Sequence, residues 1–347
     1  ELFSQLMDGG DYSSTIELFD RIPLFLPDKR IKKGTPDKPL EVRKASFTHR
    51  PRGGIKKGAY DSVRFQVFIK PAQLVQNGKT NTFLPSQREQ FVEIALRRLA
   101  IKKIERAITS LVRPDEANEG SRFFTILSVY DLRKELVENS HAYTYKQILE
   151  AMDILSNTLI ELKTEDERYK YTKSPSTIIS YEQIDDTQDN EGGATLYRVW
   201  FHPFVQDAIQ SESYRRYDVC AEYKLGFLAR WLHKRLAHNY IQAGDDTWYS
   251  IKMSTILEES GLTPRKPFRN NQTAVEDALR ELFHHDILGD PPMFSPKRIE
   301  KLGNVAIPEG WHKETNYENI GGKKRLTDVT YHLFTSDNFN HKVRNWN

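Results

Sequence analysis

The stretch YSIKMSTILEESGLTPRKPFRNNQTAVEDALRELFHHD, residues 249–286, decides how the chain is read. Ser254 stands where a helix N-cap is expected, Ile256 and Leu257 give that helix an inward face, and Gly261 is placed to end it as a C-cap. After a turn with Pro264 and Pro267, the residues Ala274, Val275, Ala278, Leu279 and Leu282 recur at helical spacing, with Asn270 or Asn271 available as a cap. Helix, turn and longer helix make a helix-turn-helix layout. Arg265, Lys266, Arg269, Asn270, Asn271 and Gln272 fill the turn and the start of the second helix with no carboxylate among them. Such side chains suit phosphates and base edges, and a recognition helix uses its N-terminal end to reach them.

Working outward, a second copy of the layout lies upstream. Residues 123–126 read as a short strand, Ser128 caps a helix running through Val137, residues 138–143 make the turn, and Thr144 caps the next helix. Ile148, Leu149, Met152, Leu155 and Leu159 are its inward residues, and Tyr145, Lys146 and Gln147 stand at its exposed start as a supporting DNA contact. Residues 160–163 and 177–181 are expected to pair as a hairpin, with residues 196–201 as a third strand. In the second half, a single helix is expected over residues 222–240 with Leu225, Leu228, Leu232 and Leu236 inward. A strand at 248–252 and a returning strand at 329–334 would frame the helix pair, with residues 289–328 as a long wing insertion carrying Lys323, Lys324 and Arg325. A helix-turn-helix followed by a β-hairpin is a winged helix. The expected fold class is therefore α+β: two tandem winged-helix domains, mainly helical, with small antiparallel sheets.

The expected domains are a flexible head and basic arm over residues 1–57, a first winged helix over 58–212 and a second over 213–347. Two domains also fit the length of 347 residues. In the head, Ile16, Leu18 and Phe19 either dock into a partner's apolar groove or pack onto the first domain with Ile22 and Leu24. Between residues 28 and 57, eleven basic residues face three acidic ones, an excess of eight in a chain whose net charge is +3. Arg50, Arg52, Lys56 and Lys57 close that segment, which reads as a loop attracted to phosphates or as a solvated linker. Ahead of the first helix pair, residues 63–69 alternate as a strand, and Ser86 is expected to cap a helix running to about Leu111.

Catalytic material is sparse, and the chain is not expected to be an enzyme. Residues 53–58 have the outer glycine spacing of a phosphate-binding loop, but Ala59 and Tyr60 stand where lysine and Ser/Thr are needed. His233 and His238 are five apart, His284 and His285 adjacent, and neither pair makes a zinc-type site. No cofactor or metal is expected. The single cysteine, Cys220, allows no disulfide within the chain and fits a reducing cytoplasm. No apolar run approaches a membrane span and no signal-peptide core follows Glu1, so no membrane contact is expected.

Residues 16–20, 124–132, 143–146 and 223–232 (IELFD, FTILSVYDL, YTYK and YKLGFLARWL) resemble, in pattern and order, the plasmid replication initiators with tandem winged helices, above all the TrfA-type branch. The resemblance implies binding of direct repeats, or iterons, in double-stranded origin DNA, opening of an adjacent AT-rich segment, and recruitment of the host initiator, replicative helicase and sliding clamp. It also implies a homodimer formed through the first winged helix, base contact by Arg269, Asn270, Asn271 and Gln272, and a clamp motif at Ile16, Leu18 and Phe19. Thr15 departs from the glutamine of that motif, and the long second wing is another departure. Two other classes share parts of this pattern: a tandem winged-helix transcriptional regulator, and a DNA nicking enzyme, which would need a metal-dependent strand break.

Overall fold

The computed structural model describes residues 12–16, 22–27, 32–49, 63–107, 124–164, 172–184, 195–202, 214–239, 248–289, 309–321 and 323–345. Among these are eight helices and fifteen strands, with strand nearly equal to helix, so the expectation of a mainly helical chain is corrected. The sheets are small and antiparallel, as expected. The chain forms two compact units, Glu1–Tyr214 and Arg215–Asn347.

The first unit begins with β1 (Tyr12–Ile16), β2 (Lys32–Gly34), β3 (Arg43–His49), β4 (Val63–Lys70), β5 (Ala72–Gln76) and β6 (Lys79–Leu84). Part of the stretch read as a free basic arm is thereby folded: β2 pairs with β6 and β3 pairs with β4. The reason is apolar content between the charges, since Phe47 is buried and stacks on Phe65 at 5.3 Å. Ile22, Leu24, Phe25 and Leu26 are buried too, and the Arg43 guanidinium donates to the carbonyls of Leu24 and Phe25. The β5–β6 hairpin was not anticipated. Its turn is Asn77-Gly78, both at positive φ, the conformation a tight hairpin needs and that this dipeptide adopts readily.

Helix α1 (Gln87–Ala107) follows, with the Ser86 amide and hydroxyl both donating to the first-turn carboxylate of Glu89. Next come β7 (Phe124–Ser128), α2 (Val129–Glu138) and α3 (Tyr145–Asn157). Both helices start as the sequence indicated, each with a reciprocal capping box, Ser128 with Asp131 and Thr144 with Gln147. Ile148, Met152 and Leu155 are buried as expected, together with Ala151 and Ile154.

After α3, the expected hairpin splits between two sheets. Strand β8 (Leu159–Thr164) lies between β4 and β9 (Thr172–Thr177), whereas β10 (Ile179–Ile184) pairs with β11 (Leu196–Phe201), which pairs with β7. Ile178 and Ile179 are both buried, and consecutive buried residues cannot share one face of a strand. The chain crosses from one sheet to the other there. The second sheet then has the order β10-β11-β7.

Strand β12 (Tyr214–Asp218) spans the boundary, and the second unit contains α4 (Val219–Lys224), α5 (Phe227–Asn239), β13 (Tyr249–Lys252), α6 (Met253–Ser260), α7 (Phe268–His284), β14 (Trp311–Ile320), β15 (Lys323–Leu333) and α8 (Asp337–Asn345). The expected helix over residues 222–240 is broken at Gly226. Glu281 of α7 accepts the Gly226 amide at 2.6 Å and serves as the cap for α5, and Arg230, 1% exposed, donates to the carbonyls of Glu222 and Leu225 at the end of α4. The rail of Leu225, Leu228, Leu232 and Leu236 is buried as expected, against Ile256, Leu257, Val275, Leu279 and Leu282. The sheet order is β13-β15-β14.

Glu281→Ala is expected to cost about 1 kcal/mol by removing the acceptor of the Gly226 amide at the start of α5. In a unit of this size that lowers the melting temperature by about 3–5 °C. Thermal melting of the full chain followed by circular dichroism checks it, and an unchanged transition would remove Glu281 as the cap.

Candidate nucleic-acid interface

In the second unit, the helix pair is organised by contacts far apart in sequence. Gly261, with φ 74°, ends α6 in the left-handed conformation expected of it. Ser254 is not the N-cap, because α6 already begins at Met253. The Ser254 amide and hydroxyl are donated instead to Asp328 of β15, at 3.2 and 2.5 Å. A carboxylate from the neighbouring hairpin thus sits at the positive end of α6.

The turn between α6 and α7 is closed by Asn271. Its Oδ1 accepts the Arg265 amide at 2.7 Å, its Nδ2 donates to the Arg265 carbonyl at 2.9 Å, and the residue is 5% exposed. Asn271 is therefore corrected from a base-contacting residue, and from a helix cap, to the clamp that sets the turn; α7 itself begins at Phe268. Gln272 is also redirected. Half-buried, it donates to Glu276 at 2.8 Å, and the same carboxylate receives Lys313 of β14 at 2.7 Å. Burial and two hydrogen bonds leave Asn271 unavailable to a base, while Gln272 is held by an acidic neighbour one helical turn away.

The other four residues of that cluster stand out from the surface. Arg265, Lys266, Arg269 and Asn270 are exposed, and their side chains make no hydrogen bond or ion pair among the described residues. Their approach is framed by the β14–β15 hairpin, the form taken by the end of the long insertion. Pairing with β13 ends at Lys252 and Thr330, opposite Glu314, so among the described residues 315–320 run on without a third strand for about 20 Å at roughly 3.4 Å per residue. Lys323, Lys324 and Arg325 occupy the first positions of β15, paired with Ile320, Asn319 and Glu318 at the far end.

The first unit has a smaller opening. Tyr145, Lys146 and Gln147 are exposed at the start of α3, although the Gln147 carbonyl oxygen is committed to Thr144. Arg133 of α2 lies over the Tyr145 ring at 5.1 Å, and Lys134 beside it in sequence is exposed as well. The sequence reading missed this pair; one helical turn before the end of α2 was the place to look.

Beyond its first turn, α3 is covered. The stripe Lys146, Glu150, Asp153 and Asn157 would face a groove, but Glu150 accepts from Gln76 of β5 and Arg88 of α1, each at 2.8 Å. Burial alone would raise the Glu150 pKa, yet these donors hold it below the usual carboxylate range. Asp153 accepts from Tyr181 of β10. Ile154 packs with Ala72 and Phe83 under the same hairpin. Two carboxylates and a packed hairpin therefore occupy the outer side of α3 beyond its first turn.

Arg50, Arg52, Lys56, Lys57, Leu18 and Phe19 lie outside the described residues, and Ile16 is the last residue of β1. Among the described residues no group of three or more His, Cys, Asp or Glu could hold a metal ion. No helix there is long and apolar enough to cross a membrane.

No protein-family model matches the chain, and no curated protein matches it. Solved structures are similar to it, two of them as follows. A selenomethionine crystal structure of domains 2 and 3 of RctB has 11% identity and a TM-score of 0.45, covering 92% of this chain and 96% of that one. A second structure of RctB domains 2–3 has 12% identity and a TM-score of 0.44, covering 94% and 99%. The assignments below rest on this chain's own residues.

Proposed function

We propose that the chain is a sequence-specific double-stranded DNA-binding protein made of two winged helices, and that it initiates replication by binding direct repeats at a plasmid origin. The observation that carries the reading is the row Arg265, Lys266, Arg269 and Asn270, exposed, without a side-chain partner among the described residues and carried on the turn that the Asn271 clamp sets. Arginine suits guanine and asparagine suits adenine in the major groove. The winged-helix reading is supported by topology: in each unit a strand, two helices and two further strands form a sheet ordered first, third, second. In this reading the second winged helix, residues 213–347, reads bases. The first, residues 58–212, contributes phosphate contacts from Arg133, Lys134, Tyr145 and Lys146. Lys323, Lys324 and Arg325 at the hairpin end bind phosphates or a flanking minor groove, adding affinity without discrimination. Recruitment of a host initiator, helicase and sliding clamp, and a homodimer through the first winged helix, belong to the same proposal by resemblance. The protein does no chemistry of its own on DNA in this account.

Selection of duplexes from a randomised library by the full chain tests the first step, and support of replication by a plasmid carrying the recovered site tests the second. Arg269→Ala is expected to cost about 1–3 kcal/mol on the selected duplex and to relax one base position, whereas Lys324→Ala weakens all sequences alike and lowers the salt slope by about one. Equal losses on selected and random duplexes for Arg269→Ala would refute base reading by α7.

A further inference from the structure

The exposed side of α7 continues past the residues assigned above. At about 100° per residue, positions 269, 270, 273, 277 and 280 fall within an arc of about 100°, opposite the buried Val275, Ala278, Leu279 and Leu282. Thr273 and Asp277 are exposed, and the Asp277 side chain is 64% accessible. From Arg269 to Asp277 the helix rises about 12 Å, the span of three to four base pairs.

Asp277 is out of keeping with a surface built only to attract phosphates. Arg280 donates to its Oδ1 at 2.8 Å. The same guanidinium lies 3.9 Å from Glu276 and 3.4 Å from Glu309. Arg280 is thereby anchored among three carboxylates, and its charge is already answered. The second oxygen of Asp277 has no hydrogen bond among the described residues. A carboxylate held this way offers only acceptors. In the major groove the donors are the amino groups of cytosine and adenine, and adenine sets an acceptor, N7, beside its amino group. A carboxylate therefore matches cytosine and is repelled by guanine, by thymine and by bare phosphate.

We propose that Asp277, positioned by Arg280, is a specificity-determining residue that selects a C·G pair about three base pairs from the one read by Arg269, and lowers affinity for every other sequence. The proposal rests on the reading of α7 as a recognition helix. It also gives a reason for an acid on that face: a carboxylate that finds no donor is left against phosphate, so wrong sequences are penalised.

The test is parallel selection from one randomised duplex library by the full-length wild type, Asp277→Asn and Arg280→Ala. The wild type should recover a site with one position held to cytosine. Asp277→Asn should lose that preference alone, keep the rest of the site, and bind random duplex at least about twofold more tightly because a negative charge is gone. Arg280→Ala should blur the same position and no other. Asp277 is exposed, so melting temperatures of wild type and Asp277→Asn should coincide. A recovered site that Asp277→Asn leaves unchanged, or one it degrades at all positions alike, overturns the proposal and leaves α7 as the reader. If the wild type recovers no common sequence, the reading of α7 fails and the proposal with it.

Discussion

Replacing Arg230 with alanine is expected to destabilise the second unit by about 3–5 kcal/mol, because a buried guanidinium is removed and the groups it served stay buried. Its two donations, at 2.6 and 2.7 Å, end α4 where the next residues cannot continue the helix. The Glu222 carboxylate in the same turn is fully buried and pairs with Lys234 at 3.0 Å, so a loosened turn also strains an ion pair in the interior. Arg230→Met separates the causes. Methionine fills much of the volume but donates nothing, and two unsatisfied buried carbonyls still cost about 2–4 kcal/mol. Urea unfolding of the full chain followed by tryptophan fluorescence reads both variants, and Arg230→Met as stable as wild type would remove the carbonyls from the account.

Asn271→Ala is expected to weaken binding of the selected duplex by about 10- to 100-fold while leaving random duplex nearly unaffected. The loss corresponds to about 1.4–2.8 kcal/mol. Without its two hydrogen bonds to Arg265, the turn carrying Arg265, Lys266 and Arg269 must be ordered anew at each binding event, and that ordering opposes association. Total charge is unaltered, so the sequence-independent attraction stays. Titration of both duplexes at one salt concentration decides it. Parallel losses on the two would mean that Asn271 contributes only general stability.

These two residues mark where the sequence could and could not be read. Features governed by neighbours along the chain were legible: the capping boxes at Ser128 and Thr144, the stop at Gly261, and the leucine rail of the second unit. Arg269 and Asn270 stand where a helix-turn-helix would put them, at the exposed start of α7. What failed depended on contacts across long stretches. Asn271 resembles Asn270 in every local respect, and only the folded turn shows that one is inside and the other outside. Ser254 looks like a cap until Asp328, 74 residues away, claims it. The break at Gly226 was visible as a glycine, but its satisfaction by Arg230 and Glu281 was not. One signal was present and unused: Asn77-Gly78, a ready hairpin turn.

The hairpin of the second unit is riveted to the helix pair at two points, Asp328 on the start of α6 and Lys313 on Glu276 in the middle of α7. The free end, some 20 Å out, is thus tied to both helices by these two side-chain contacts. The cationic end at Lys323–Arg325 lies beyond both contacts, so shortening the hairpin outside Asp328 and Lys313 would remove its charge and leave the helices braced.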